Sequence, residues 1–295
     1  MRNRQLREER NKSMLQRVDD YMLDRIQEEL IKPDSGERIR FRFLALDYLM
    51  GGMRKGQLIV LGSMDSSRIG RAFACSLVSN VCLKDGKSCY LVSMDASADY
   101  TVKQIVRIRQ DIKYHGAFFP DKYAPEEEED YGDKIKKAFE NWKKAKLWID
   151  DTHTGSFKGL VSRIKKIKES EGIDLILIDN LMHICDRHFD TKNIFRMLKQ
   201  LAVELGCPIL VIMEHKRSAW KKGVYKPVQM DFWNAGQIEE NADVILSLSG
   251  NFSSPPEDAR ECDVIIHKHG WCENTTAQII YDPHINCFKD IIPEN

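Results

Sequence analysis

The chain has 295 residues, and its 45 basic and 45 acidic side chains give a formal net charge of zero. That balance excludes a globally basic nucleic-acid-binding protein, so any contact with nucleic acid must come from local basic segments. No apolar stretch approaches the roughly 20 residues that span a bilayer, and the charged N-terminus lacks a signal-peptide core. The eight scattered cysteines form no C-x-x-C pair, which indicates reduced thiols. We therefore expect a soluble, cytoplasmic protein without membrane contact.

The first 36 residues predict a separate amphipathic helix. Apolar residues recur there at helical spacing among charged ones, and Pro33 ends the run: Leu15, Val18, Met22, Ile26 and Leu30. The helix either packs on its own domain or is an arm that docks on a neighbouring subunit, and the spacing does not separate the two. The remainder, residues 37–295, is expected to form one α/β domain.

Strand-like and helix-like runs alternate along this domain. The strand-like runs are 57–62, 88–94, 146–151, 174–179 and 208–214, and helices are predicted near 71–83, 97–113, 132–144, 157–170 and 191–205. Such alternation predicts a mostly parallel sheet flanked by helices. Three further runs, 243–248, 263–269 and 277–282, are expected to add C-terminal antiparallel edge strands. The acidic run 126–130 is expected to be a solvated loop.

The turn after the first strand, GSMDSSRIGR at 62–71, lies where nucleotide-binding proteins carry a phosphate loop. That loop normally reads G-x-x-x-x-G-K-[ST], and this turn contains no lysine. Its candidate nucleotide contacts are Ser66, Ser67, Arg68, Gly70 and Arg71.

Acidic residues follow three of the predicted strands. In DLILIDN an apolar run ends at Asp179, as in a Walker B element whose carboxylate holds the Mg²⁺ of a nucleotide, usually through water. Asp95 and Glu214 follow two other strands. Carboxyl ends of parallel strands meet at one rim, so these side chains and the 62–71 turn are predicted to share a site. The alternative is that each carboxylate only caps or solubilises the end of its strand.

Two basic segments are candidates for contact with single-stranded nucleic acid. One is the predicted helix 156–170, and the other is the stretch 214–226, in which Trp220 and Tyr225 stand among cations. Cations hold phosphates while aromatic rings stack on bases. The alternative is an ordinary solvated surface. The candidate residues are Lys158, Arg163, Lys165, Lys216, Arg217, Lys221 and Lys222.

Taken in order, these segments resemble the C-terminal motor domain of DnaB-type (superfamily-4) hexameric replicative helicases. The resemblance covers most of residues 40–290 and is most specific in LKQLAVELGCPILVIMEHKRS and DFWNAGQIEENADVILSL. It implies a RecA-like P-loop NTPase fold, ATP and Mg²⁺ as ligands, and single-stranded DNA and other replication proteins as partners. It also implies self-association into a ring through the N-terminal helix. Because little chain precedes the core, no counterpart of the family's separate N-terminal domain, and no primase contact of that type, is expected.

The chain departs from the family at its phosphate loop. Ungapped alignment puts Ile69 at the loop lysine and Gly70 at the Mg²⁺-binding hydroxyl. A one-residue shift puts Gly70 and Arg71 there instead. Either alignment leaves the loop without its lysine.

Other catalytic positions also differ. The resemblance puts Asp95 at the catalytic glutamate and Glu214 at the polar sensor, with His215 next to it. Lys268 is kept, whereas Gly270 stands at the arginine finger two residues later. In addition, the arginine of the family's D-L-R element is Trp233.

These substitutions imply a catalytically degenerate relative, because an arginine finger alone is worth roughly 10³–10⁵ in turnover. We expect a DnaB-like protein of DNA replication that hydrolyses ATP weakly or not at all and acts as a DNA-binding or assembly partner. Two alternatives stay open. One is an active ATP-dependent DNA helicase in which Arg68 or Arg71 replaces the lysine, and the other is a purely structural subunit with a vestigial pocket. The sequence therefore leaves enzymatic activity undecided.

Overall fold

The computed structural model describes residues 38–110, 131–143, 145–152, 156–181, 193–216, 226–250, 252 and 259–291. The larger compact unit of the chain is Ile39–Asn295. The helix predicted within residues 1–36 and the acidic run 126–130 lie outside the described residues. Within the described ranges, no helix combines the length and the apolar character needed to cross a membrane.

Nine strands form one sheet in the order β3-β2-β4-β5-β1-β6-β7-β8-β9. The first six strands in this order, from β3 at one edge to β6, run parallel to one another. Strands β7, β8 and β9 extend the sheet with antiparallel pairing. Their bounds are β1 Leu58–Ser63, β2 Cys89–Ser93, β3 Leu147–Asp150, β4 Leu175–Asp179, β5 Ile209–Glu214, β6 Val244–Ser249, β7 Arg260–Lys268, β8 Thr275–Asp282 and β9 Cys287–Lys289.

This arrangement confirms the mostly parallel sheet with an antiparallel edge, with one correction. The run 243–248 was expected among the antiparallel strands, but β6 pairs parallel with β1, with Ile59 opposite Val244. A short helix precedes β6 and returns the chain to the same end of the sheet, which permits the parallel pairing. Strand β9 was not predicted.

Seven helices accompany the sheet in the described ranges: α1 Leu44–Met50, α2 Arg71–Val78, α3 Ala98–Gln110, α4 Tyr131–Trp142, α5 Phe157–Glu171, α6 Ile194–Leu205 and α7 Ala235–Asn241. A π-helical turn, Ser66–Gly70, leads directly into α2, and a second one, Ser79–Lys84, follows it. The Ser156 hydroxyl accepts a hydrogen bond from the Gly159 N–H and caps α5, whereas Gly206 ends α6 with a left-handed backbone.

The central strands are buried on both faces. In β1, Ile59 and Leu61 belong to one apolar layer, and Leu58 and Val60 belong to the other. Unbroken apolar runs are typical of parallel strands covered by helices on both sides. Polar chemistry is therefore confined to the ends of the strands, where the candidate site lies.

The last strand is attached to the helix that follows the phosphate-loop turn. The backbone N–H of Phe288 in β9 donates a 2.9 Å hydrogen bond to Ser76 Oγ in α2. The Phe288 ring also packs edge-on against Phe73 of the same helix, with 5.7 Å between ring centroids. Helix α2 is thus held by the sheet beneath it and by β9 beside it.

Candidate nucleotide site and nucleic-acid surface

The carboxyl ends of β1, β2, β4 and β5 form one rim. Asp179 ends β4, where it lies opposite Ser93 of β2. Glu214 ends β5, opposite Ser63 of β1, and Asp95 lies two residues beyond β2. Three acidic residues that are far apart in sequence therefore lie at the same edge of the sheet, together with the turn that follows β1.

Arg71 joins two of these carboxylates. It is the first residue of α2, and its Nε lies 3.2 Å from Asp179 Oδ2 while its Nη2 lies 3.6 Å from Asp95 Oδ2. The three side chains are 11%, 2% and 15% exposed in the order Arg71, Asp179 and Asp95. The Tyr100 ring lies 6.0 Å from the guanidinium carbon, at the outer limit of a cation–π contact. The rim thus holds a largely buried cation between two carboxylates.

Asn180, which was not among the predicted site residues, completes this cluster. Its Nδ2 donates a 2.8 Å hydrogen bond to Asp95 Oδ2. Its backbone has φ of +65°, a left-handed conformation that asparagine adopts more readily than most residues. The position directly after the Walker B aspartate was the only available signal. Asn180 therefore holds Asp95 against Arg71.

The Asp179 carboxyl carries a strongly shifted pKa. The pKa is raised to about 7, chiefly by burial; the nearby Arg71 opposes this rise, and Asp95 adds to it. Oδ1 of Asp179 has no hydrogen-bond partner in the part of the chain that the structure describes. A single guanidinium thus only partly offsets the burial of this carboxylate.

Mg²⁺ does not fit this arrangement. In P-loop NTPases the loop hydroxyl and the Walker B carboxylate hold the same Mg²⁺, whereas here the residue beside Asp179 is a cation. That residue is Arg71, which favours the alignment that places Gly70 at the lysine. Guanidinium has no lone pair to offer a metal, and its charge repels a second cation. Elsewhere in the described ranges, no three His, Cys, Asp or Glu side chains are grouped to hold a metal.

The phosphate-loop turn is closed by its own hydrogen bonds. Asp65 Oδ1 accepts a bond from the Arg68 N–H at 3.0 Å, and the Asp65 carbonyl accepts the N–H groups of Ile69 and Gly70 at 2.8 and 3.0 Å. A phosphate loop instead directs such N–H groups at its ligand. Asp65 was not among the residues predicted from the sequence to form the site.

The remaining candidates in this turn are held elsewhere or are not described. Arg68 Nη2 donates a 2.8 Å hydrogen bond to the Phe252 carbonyl, and its Nε lies 3.4 Å from Asp65 Oδ2. The positions of the Ser66 and Ser67 side chains are outside what the structure describes. Arg68 is therefore committed to contacts within its own chain.

A buried polar cluster lies behind the loop, next to Glu214. The Nε2 atoms of His215 and His267 lie 3.0 and 2.9 Å from Ser247 Oγ, and the Phe232 ring meets His215 edge-on at 4.7 Å. Burial lowers the pKa of His215 to about 3, so this imidazole is neutral at physiological pH. His215 is thus a core residue rather than a side chain that faces the rim.

Lys268, predicted as a catalytic residue, contacts the end of a helix. Its Nζ donates hydrogen bonds to the carbonyls of Glu239 at 2.6 Å and Ala242 at 2.8 Å. Both carbonyls lie at the C-terminal end of α7, where a cation is favourable. Gly270, at the finger position, is exposed, and nothing lies within 4 Å of where its Cβ would be.

The basic candidates on α5 differ in their surroundings. Arg163 Nε lies 2.7 Å from Asp150 Oδ2, and Lys165 Nζ lies 2.7 Å from Glu204 Oε2, whereas Lys158 and Lys166 are exposed. The predicted positive strip is therefore partly neutralised.

The second basic segment is described only in part. Lys216 Nζ donates to the Met230 carbonyl at 3.2 Å. The other three candidates lie outside the described residues: Arg217, Lys221 and Lys222.

Comparison with known proteins identifies relatives over almost the whole domain. The family model for the DnaB-like helicase C terminal domain matches residues 39–290. The replicative DNA helicase DnaB of Geobacillus stearothermophilus is 26% identical over 259 residues, which cover 84% of this chain and 56% of that protein. The probable plasmid replicative DNA helicase of Chlamydia psittaci is 26% identical over 240 residues, or 77% of this chain and 50% of that protein. The chain thus spans about half the length of the curated relatives it matches.

Solved structures show the same fold. A structure described as an ATPase domain superimposes with a TM-score of 0.81 at 20% identity, covering 94% of this chain and 100% of that one. A DnaB-like replicative helicase, studied with its interactions with primase, superimposes with a TM-score of 0.80 at 20% identity, covering 94% and 69% of the two chains. These superpositions confirm the RecA-like P-loop NTPase architecture expected from the sequence.

Proposed function

The chain belongs to the family of DnaB-like helicase C-terminal domains, and on that premise we propose that it is a non-hydrolysing member that acts as a DNA-binding or assembly partner in DNA replication. One observation carries the proposal. The expected Walker B carboxylate, Asp179, is ion-paired with Arg71, the residue that the shifted alignment puts at the family's metal-binding hydroxyl.

The charge balance of the rim supports the absence of turnover. Phosphoryl transfer depends on cations that neutralise the charge developing on the transferred group. The loop lysine is absent, the finger position is Gly270, and Lys268 is engaged at the end of α7. Glu214 adds a negative charge where the family has a neutral or basic sensor. Losing the finger alone lowers turnover roughly 10³–10⁵-fold.

Assembly and DNA contact belong to the same proposal. Residues 37–295 would form the RecA-like body of each subunit, and the predicted helix within residues 1–36 would dock on a neighbour to close a ring. Single-stranded DNA would be held by exposed cations such as Lys158, with other replication proteins as partners and the cytoplasm as the location. ATP and Mg²⁺, the ligands that the resemblance implies, would not support ATP hydrolysis by this chain.

ATP turnover tests the proposal directly. We expect purified full-length protein to hydrolyse ATP no faster with single-stranded DNA and Mg²⁺ than Asp179→Ala does under the same conditions. DNA-stimulated hydrolysis by the wild type that disappears in Asp179→Ala would overturn the proposal and restore the active-helicase alternative.

A purely structural subunit is a second candidate, favoured by the ion pairs that neutralise Arg163 and Lys165. A binding titration on single-stranded DNA at several salt concentrations separates the two. A DNA-binding subunit shows log affinity falling with log salt by about 0.7 per phosphate contacted. Absence of binding at low salt would favour the structural subunit.

A further inference from the structure

Two groups of this chain stand at the rim where a nucleotide and its metal would be held. Arg71 places a positive charge between Asp95 and Asp179, 3.6 and 3.2 Å from their oxygens. Asp65 accepts hydrogen bonds of 2.8–3.0 Å from three N–H groups of the turn. Its side chain accepts that of Arg68, and its main-chain carbonyl accepts those of Ile69 and Gly70. One group is a cation beside the carboxylate expected to hold the metal. The other accepts N–H groups that a phosphate loop would direct at its ligand.

We infer that the rim is liganded from within, with the Arg71 guanidinium in place of the divalent metal and Asp65 in place of the phosphate, so that no Mg²⁺-dependent nucleotide binding occurs. This deepens the proposed function, from which it takes the identity of the rim as a former nucleotide site. A non-hydrolysing relative that still binds Mg²⁺·ATP would satisfy that function and contradict this inference.

The carboxylates of the rim already have a counterion from within the chain. Two largely buried carboxylates need a counterion, because like charges in low dielectric repel strongly. Arg71 supplies one from a rigid position, the first residue of α2 directly after the π-helical turn. Asn180 holds Asp95 in line with the guanidinium by its 2.8 Å hydrogen bond. An external metal would have to displace this arginine.

The phosphate-loop turn is likewise held by hydrogen bonds within the chain. Its helical start at Ser66 places the N–H groups of Ile69 and Gly70 in hydrogen bonds to the Asp65 carbonyl. A triphosphate could receive these N–H groups only if the turn unwound. Nucleotide binding would therefore have to break both the ion pairs of Arg71 and the internal hydrogen bonds of the turn.

The first experiment uses the full-length wild type and measures its melting temperature with MgCl₂, with ATP and MgCl₂, and with ATP and EDTA. A ligand at a hundred times its dissociation constant raises the melting temperature of a domain of this size by about 5–10 °C. We expect all three conditions to agree within about 1 °C, well below that response. A rise with ATP that requires Mg²⁺ would overturn the inference, even where no ATP is hydrolysed.

The second experiment asks whether Arg71 stands where a metal can bind. Arg71→Ser removes the cation and introduces a hydroxyl at that position, leaving Asp95 and Asp179 with no counterion from Arg71. We expect Mg²⁺ alone to raise the melting temperature of this variant with a midpoint at least tenfold lower than for the wild type, at matched ionic strength. Arg71→Lys, which keeps the charge, is expected to respond as the wild type does.

Arg109→Ser, which removes an exposed arginine of α3, is the control for loss of an arginine elsewhere. If Arg71→Ser does not fold, Arg71→Gln is titrated in the same way, and the wild-type comparison stands by itself. Identical Mg²⁺ responses in the wild type and in the folded neutral variant would overturn the assignment of Arg71 to the metal position. ATP turnover by the wild type would overturn both this inference and the proposed function, whereas Mg²⁺-dependent ATP binding without turnover would overturn this inference alone.

Discussion

Gly62 lies directly against the imidazole ring of His215. A Cβ at residue 62 would lie 2.7 Å from His215 Cδ2 and 2.6 Å from Phe232 Cζ. Both rings are fully buried, so neither can move aside freely. The first residue of the phosphate-loop turn must therefore be a glycine for a packing reason that is independent of any nucleotide.

We expect Gly62→Ala to lower the free energy of unfolding by about 1–3 kcal/mol, as overpacking of a filled core does. Urea denaturation measures the change. Gly270→Ala is the matched control, because nothing lies within 4 Å of where its Cβ would be. Equal stabilities for the two variants would show that the rings behind Gly62 yield easily.

His215 should make stability depend on pH. Burial lowers its pKa to about 3 in the folded protein, from 6.5 in the unfolded chain. Between these values the unfolded chain binds a proton that the folded protein does not, so the free energy of unfolding falls as the pH drops below 6.5. At pH 5 this loss is about 2 kcal/mol.

Denaturation at pH 7.5 and at pH 5 checks this expectation. His215→Gln should lose about 2 kcal/mol less than the wild type on acidification, whatever its stability at pH 7.5. His284→Gln, which removes an exposed histidine, controls for the type of substitution. The same loss in wild type and His215→Gln would contradict the assignment.

Lys268 should act on stability rather than on ATP. Because its ammonium group bonds the Glu239 and Ala242 carbonyls, Lys268→Met should lower the free energy of unfolding by about 1–3 kcal/mol. Lys158→Met, at an exposed position, should stay within about 0.5 kcal/mol of the wild type. Urea denaturation of both variants measures these changes in the free energy of unfolding. A neutral effect of Lys268→Met would return this lysine to the catalytic candidates.

The cations of α5 should differ in their contact with DNA. Lys158 and Lys166 are exposed, whereas Lys165 is bound to Glu204. We expect Lys158→Gln and Lys166→Gln each to reduce the slope of log affinity against log salt for single-stranded DNA by about 0.7. Lys165→Gln should leave that slope unchanged. A larger effect of Lys165 would mean that DNA displaces Glu204.

The parts of the fold that the sequence predicted are those with strong local patterns. The apolar run of β4 and the helical spacing of α5 depend on nearby residues alone. Helices α1 and α7 have seven residues each, too few to display a periodicity. The parallel direction of β6 could not be predicted, because it depends on where α7 returns the chain.

The same distinction applies to the site. The meeting of Asp95 and Asp179 at one rim follows from their positions after parallel strands. By contrast, the contact of Arg71 with Asp179 joins residues 108 positions apart, and alignment alone left two registers for the loop. The neutralisation of Arg163 was also hidden, because its partner, Asp150, belongs to another element.

The hydrogen bond from Phe288 to Ser76 joins β9 to the helix that carries Arg71. Among the described strands β9 pairs only with β8, and it also bonds α2. Proteolytic removal of β9 would therefore leave Ser76 and the Phe73 ring without this cover. Helix α2, which positions Arg71, would then lose its packing against β9, although no residue at the rim itself had changed.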